Sequence, residues 1–328
     1  MSSNKRKKTI LVTAAGGAGT IYIIKSLIGK YRIIAVDMDK YAAGLYLADK
    51  GYVLPPCNHR NYFKKLDAII KKEKVDVIIP LIDEELLPIR QRYQHSKTTK
   101  ILLPSEHFIK LCLDKWQLMN ALSAANIPCP KTYQVTSMQR LPGNLLPGII
   151  KPITGRGSRG FWRINNQEDF RNYFKSNPYG KEDVIVQEAV LGKEFTVSVV
   201  VSGRGEVLSV VPKEIILKKG ITNIAVTRRN LKIDRVCRQI QKHLRADGPF
   251  NVQLIMDKKT GTPKVFEINP RFSTTVALTM AAGVDEVGLL IESLFTGKTS
   301  KAHFKKNLVM VRYQEQYYLP EYRLKPRA

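Results

Sequence analysis

Short apolar runs alternate along the chain with segments whose apolar residues recur every three or four positions. Residues 9–13 form the first run. The small-residue loop Ala14-Ala15-Gly16-Gly17-Ala18-Gly19 follows, and then Ile21, Ile24, Leu27 and Ile28 at helical spacing. A second run at 32–36 ends in Asp37, a helix-like stretch at 62–72 precedes a third run at 75–80, and a fourth lies at 100–103. Strands interleaved with amphipathic helices predict a parallel sheet covered on both faces.

The rhythm then changes. Residues 114–125 predict an amphipathic helix with Leu113, Trp116, Met119, Leu122 and Ser123 at core spacing, stopped by Ile127-Pro128-Cys129-Pro130. Strands are expected at 146–152 and 183–187. From 195 to 200 the period of two marks an antiparallel strand, turned by 203–205 into a run at 207–211. A helix at 233–244 precedes two strands, 251–257 and 264–271, which flank a turn at 258–263 and read as a hairpin. The expected class is therefore α/β at first and α+β afterwards. Expected boundaries are a basic tail at 1–8, a Rossmann-like parallel-sheet domain at 9–104, two further lobes at 105–185 and 186–300, and a basic extension at 301–328.

Composition narrows the function classes. With 44% hydrophobic and 25% charged residues in 328, the chain has ordinary globular usage, which excludes wholesale disorder. A net charge of +26 predicts attraction to polyanions such as RNA, an anionic membrane surface or phosphorylated small molecules, without bearing on the fold. No stripe of aromatics interleaved with arginine, as single-strand binding favours, accompanies it. Cys57, Cys112, Cys129 and Cys237 form no CxxC pair, which argues against disulfide or zinc scaffolds and for a reducing cytoplasm. No apolar run approaches the roughly 18–20 residues of a membrane span. The opening KRKKTILV reads as a strand, since it runs straight into the glycine loop.

Four places carry candidate chemistry. The glycine loop with Asp37 fits either a dinucleotide site or, more simply, a tight strand-to-helix turn. Asp83, Glu84 and Glu85 follow the third run, where acids could hold an ammonium group or simply favour the first turn of a helix. Gly155, Arg156, Gly157, Ser158, Arg159 and Gly160 make a loop whose N–H groups and cations suit phosphates, and whose glycines suit a flap. In the late hairpin, period two puts Glu267 and Asn269 on one face, with Gln253 across from them and Phe266 and Ile268 on the other. One carboxylate and two amide oxygens are hard donors suited to Mg²⁺ that also bridges phosphates. Arg271 follows, a planar cation able to grip a carboxylate or a transferring phosphoryl group.

The succession of a lysine-bearing helix, KP with a GxGSxG loop, QE…LGKEF, NVQ and FEINPR resembles the ATP-grasp superfamily. Within it, the chain is most similar to single synthetase units of the carbamoyl-phosphate synthase large subunit and to stand-alone ligases, over about residues 9–300. The resemblance implies ATP as substrate and Mg²⁺ (or Mn²⁺) as cofactor. It implies Lys115 and Lys151 on the phosphates, Gly155, Gly157 and Ser158 in the flap, Glu188 and Val190 at the adenine hinge, and Glu194 on the ribose. Gln253, Glu267 and Asn269 would hold metal, Arg271 would stabilise the transition state, and Lys218 and Thr222 would contact phosphate or substrate. The implied reaction activates a carboxylate as an acyl phosphate for attack by an amine, with a thiol less favoured. The alternatives are a unit phosphorylating bicarbonate or carbamate, a basic RNA- or nucleotide-binding protein without turnover, and an NAD-linked oxidoreductase resting only on the glycine loop. Complete carbamoyl-phosphate synthesis takes two such units and a glutamine-hydrolysing partner, whereas this chain has room for one unit and shows no internal repeat. Expected partners are a small-molecule carboxylate and an amine, with a homodimer as the base-rate assembly.

Overall fold

The computed structural model describes residues 6–136, 140–157 and 159–324. Its first part is a parallel sheet of β1 (Thr9–Val12), β2 (Arg32–Asp37), β3 (Lys50–Val53), β4 (Val77–Ile79) and β5 (Lys100–Ile101), in the order β3-β2-β1-β4-β5. Helices α1 (Thr20–Leu27), α2 (Gly44–Leu47), α3 (Tyr62–Glu73) and α4 (Asp83–Tyr93) connect the strands. Ile10, Val12, Ile33 and Ala35 point to one face and Leu11, Ile34 and Val36 to the other, and both faces are buried. That two-sided burial is why these strands read as continuous apolar runs. Strand β3 escaped the sequence reading because its four residues include a lysine and a glycine.

Two helices follow, α5 (Glu106–Leu113) and α6 (Lys115–Ala124), where one was expected. Asp114 breaks them. Its backbone is extended and its carboxylate caps α6 by accepting from Gln117 N. Ser123, expected in the core, is exposed. A four-stranded antiparallel sheet then forms from β6 (Thr132–Gln134), β7 (Gly148–Pro152), β8 (Trp162–Ile164) and β9 (Val184–Glu188), in the order β6-β9-β7-β8 and backed by α7 (Gln167–Ser176).

The largest sheet is antiparallel. It contains β10 (Gly192–Val201), β11 (Val207–Lys219), β12 (Ile221–Thr227), β13 (Phe250–Asp257), β14 (Pro263–Asn269) and β15 (Val309–Val311), in the order β14-β13-β10-β11-β12-β15. Odd residues of β10 (Phe195, Val197, Val199) pack with α5, α6 and α8 (Leu231–Leu244) into an apolar core. Even residues face the other way, and on that face Val200 joins the core of the first sheet together with α9 (Val276–Ala281) and α10 (Glu286–Thr296). Thr196, on the same face at the other end of the strand, lines an open cleft.

Two expectations are corrected here. The strand expected at 207–211 continues to Lys219 and turns at Gly220, in the left-handed region at φ 68°, into β12; Pro212 and the charged Lys213-Glu214 had concealed it. The 301–328 segment is not simply a tail, since β15 pairs with β12 and Lys25 meets Glu315 at 2.6 Å. At the other end, Arg6 and Lys8 pair with Asp76. No helix among the described residues is long and apolar enough to cross a membrane.

Candidate active site

The cleft, about 460 Å³, lies where the four-stranded sheet, the large sheet and the loop after β14 meet. Its floor follows from strand register. Lys213 pairs with Thr196, Thr196 with Gln253, and Gln253 with Glu267; one step along, Ser198 pairs with Asn251 and Asn251 with Asn269. Opposite residues of antiparallel strands share a face, so the predicted trio Gln253, Glu267 and Asn269 does converge. The expectation for Phe266 does not hold. The register slips between Gln253 and Leu254, leaving Phe266 as the extra residue of a bulge, and it lines the cleft beside Glu267 while Ile268 stays in the core.

Among the described residues the Glu267 carboxylate, which lines the cleft, has no hydrogen-bond or ion-pair partner. Asn269 accepts from Arg271 Nη2 at 3.3 Å, and its own amide nitrogen is buried without a partner. A cleft carboxylate left unpaired beside an under-satisfied amide is costly unless something else occupies the space. The donor set fits a magnesium-sized hard cation. No group of three His, Cys, Asp or Glu gathers among the described residues, so further ligands would come from phosphate oxygens and water.

Two lysines face this floor. Lys115 opens α6 and donates to the Gly155 carbonyl at 2.8 Å, tying helix to flap. Lys151, near the end of β7, is buried and donates only weakly to the Phe266 carbonyl, at 3.3 Å. Burial pushes its pKa down to about 8; the Glu267 charge opposes that shift and the neighbouring Lys115 adds to it. The flap residues Gly155 and Gly157 both hold positive φ, at 116° and 67°, and both line the cleft, whereas Ser158 lies outside the described residues.

The hinge residues are cross-tied. Glu188 accepts from Lys264 at 3.0 Å and from the Lys131 N–H at 3.2 Å, which holds its pKa below the usual carboxylate range against the opposing effect of burial. Glu194 pairs with Lys218 at 2.7 Å, and both line the cleft together with Val190 and Thr222. The acidic residues form the first turn of α4, as the simpler of the two readings expects, and two of them meet arginines. Asp83 takes Arg271 Nε at 2.6 Å, and Glu84 takes the flap's Arg156 at 2.8 Å. Glu85 is buried, accepting from Thr13, Tyr62 and the Leu81 N–H. Asp37 accepts from Gly16 N at 2.8 Å and from Asp39 N at 2.9 Å, bonds that suit the tight-turn reading of the glycine loop. Sequence reasoning missed Thr196, Asn251, Ser273 and Thr274 in the cleft wall. For Thr196 and Asn251 the signal was present in the two-residue period that already placed Gln253.

Comparison with known proteins gives the family and the fold. The ATP-grasp domain family matches residues 112–275, half of the chain, and the PylC-like N-terminal domain matches 10–103. The carbamoyl phosphate synthase large chain of Xylella fastidiosa is 25% identical over 280 residues, which is 77% of this chain but 25% of that protein. The chain thus spans about a quarter of that relative's length. N5-carboxyaminoimidazole synthetase from Staphylococcus aureus superposes with a TM-score of 0.73 at 19% identity, over 95% of this chain and 84% of that one. The biotin carboxylase domain of Hydrogenobacter thermophilus 2-oxoglutarate carboxylase, a dimer in complex with MgADP, ADP and bicarbonate, does so at 0.72 and 16%, over 92% and 73%. With a parallel sheet in front, two antiparallel sheets closing on a cleft, and the family's pattern running through that cleft, the chain belongs to the ATP-grasp family.

Proposed function

We propose that the protein is an ATP-dependent ligase that converts a carboxylate into an acyl phosphate and transfers the acyl group to an amine, releasing ADP and phosphate. The carrying observation is the unpaired Glu267 carboxylate, set in register with Gln253 and Asn269 and faced by the buried Lys151. A cleft built only to stabilise the fold would satisfy that charge internally.

Each residue has a part in this reading. The apolar wall of Ile149, Val190 and Phe266 takes the base, and Glu194 the ribose hydroxyls. Lys115 and Lys151 meet the phosphates, with the 155–157 segment closing over them. Magnesium held by Glu267, Gln253 and Asn269 would neutralise phosphate charge. Arg271 sits where negative charge develops on the transferring phosphoryl group. It can serve there because Asp83 and Asn269 fix its plane while leaving it at the cleft wall.

The chemistry explains the need for ATP. A carboxylate oxygen is a poor leaving group when an amine attacks, and phosphorylation corrects that. Phosphoryl transfer in turn needs positioning and charge neutralisation more than a covalent nucleophile. Closure of the flap excludes water, which would otherwise hydrolyse the acyl phosphate.

The test is ADP release with pools of carboxylic acids, bicarbonate included, and amines, with Mg²⁺ present and absent. The expected result is Mg²⁺-dependent release that requires an acid and is lost by at least about 10²-fold in Glu267→Ala. Full activity in that variant would remove the metal assignment. Release without any acid would remove the ligase reading.

A further inference from the structure

Arg312 joins three separate parts of the molecule. It follows β15, outside both family-matched ranges. Its Nε donates to the Thr222 carbonyl at 3.0 Å, its Nη1 to the Ala18 carbonyl at 3.3 Å, and its Nη2 to the Thr274 carbonyl at 3.0 Å. Its own N–H donates to the Asn223 carbonyl at 2.8 Å, holding the residue to β12. The three acceptors belong to the start of β12, the glycine loop of the first sheet and the loop after β14. Thr222 and Thr274 both line the cleft. Contact between the two loops is close: a Cβ on Gly19 would stand 3.1 Å from Thr274 Cα. Among the described residues no carboxylate pairs with Arg312, and the guanidinium is half desolvated, which lowers its pKa. All its geometry is therefore spent on backbone carbonyls.

We infer that Arg312 is a positioning residue for the proposed ligation, fixing the cleft wall at the end away from the nucleotide hinge, where the acid or amine must sit. The hinge side of the cleft comes from β7, β9 and the start of β10. The Arg312 side comes from the β11–β12 arm and the loop that follows Arg271, with the glycine loop packed behind that loop at Gly19. A planar fork with fixed donor directions can hold three carbonyls in one relative arrangement, which a lysine ammonium on a flexible stem cannot. Losing the fork lets the arm and the post-β14 loop move independently. A wall displaced by about 1 Å is enough to disturb a near-attack geometry.

The inference rests on the ligase reading, so its test has an arm independent of turnover. Arg312→Ala and Arg312→Lys are compared with the unaltered chain by amide hydrogen exchange, by titration with MgADP, and by steady-state kinetics with the acid and amine found above. In Arg312→Ala, exchange is expected to quicken at 16–20, 220–224 and 273–276 but not in β1 or β13. MgADP affinity is expected to stay within about twofold, while KM for the non-nucleotide substrate rises about tenfold or more, with a smaller fall in kcat. Arg312→Lys, which keeps the charge but not the fork, should leave most of the KM effect in place. Unchanged exchange at those segments would overturn the inference, whatever the fate of the ligase reading. So would an equal loss of MgADP and substrate binding with a lowered Tm, because Arg312 would then serve only global stability. Local exchange changes without any acid-dependent turnover would leave the clamp standing and the ligase reading refuted.

Discussion

Lys151 and Lys213 are both buried, both have pKa values pushed down to about 8 by burial, and both stand on sheet strands of the same half of the molecule. Their surroundings differ in one respect. Lys213, on the same face of the sheet as the cleft floor, is sealed beneath α9 and α10 and donates to Ser198 at 2.6 Å and Thr279 at 2.8 Å, with the buried Glu286 as its opposing charge. Lys151 opens on the cleft and has one long bond to a carbonyl and an aromatic ring 5.5 Å away. A perturbed lysine therefore does not by itself mark a site. An unspent donor facing an unpaired carboxylate does, and Lys213 reads as scaffold by the same criterion.

The largest expected effect separates the two directly. Lys151→Met should cost at least about 10²-fold in turnover, through lost stabilisation of the phosphates, while leaving Tm undiminished because a buried charge is removed. Lys213→Met should do the opposite. Breaking a buried charged network costs about 3 kcal/mol in denaturant unfolding, with MgADP affinity of the folded fraction unchanged, and adding Glu286→Gln should recover part of the loss. Equal effects of the two on turnover would dissolve the comparison.

Titration offers a smaller contrast. Both lysines have folded pKa values below the unfolded value of 10.5, so the unfolded chain binds more protons between about pH 8 and pH 10.5. Their contribution to stability therefore rises with pH across that window, and Lys213→Met should flatten the slope of unfolding free energy against pH. Activity runs the other way. The phosphates need Lys151 charged, so kcat/KM for ATP should fall as pH rises through about 8 in the free enzyme, and Lys151→Arg should move that limb upward. The smallest effect belongs to the flap tether. The Arg156–Glu84 pair is partly exposed, so Glu84→Ala should change stability by under about 1 kcal/mol.

The sequence made the candidate site legible because its chemistry is linear. Glu267, Asn269 and Arg271 lie within five residues, and period two alone aims the first two at one face. The parallel sheet was equally plain, since burial on both sides leaves unbroken runs such as Ile33-Ile34-Ala35-Val36. What stayed hidden depends on contacts distant in sequence. Lys213 looks like a solvent-facing charge until Ser198, Thr279 and Glu286 surround it. Phe266 changes face because of a bulge that only pairing with β13 creates. Asp83 and Glu84 meet arginines 188 and 72 residues away, and β15 is too short and polar in context to announce that it extends the sheet.

The central claim is that a carboxylate oxygen attacks the terminal phosphorus of ATP in this cleft. With the acid identified by ADP release and supplied with ¹⁸O in its carboxylate, the oxygen bonded to phosphorus stays with phosphorus when the amine displaces it. The account predicts one ¹⁸O atom in each phosphate released during amide formation. Unlabelled phosphate released alongside the amide, the second ¹⁸O having left in water instead, would contradict it.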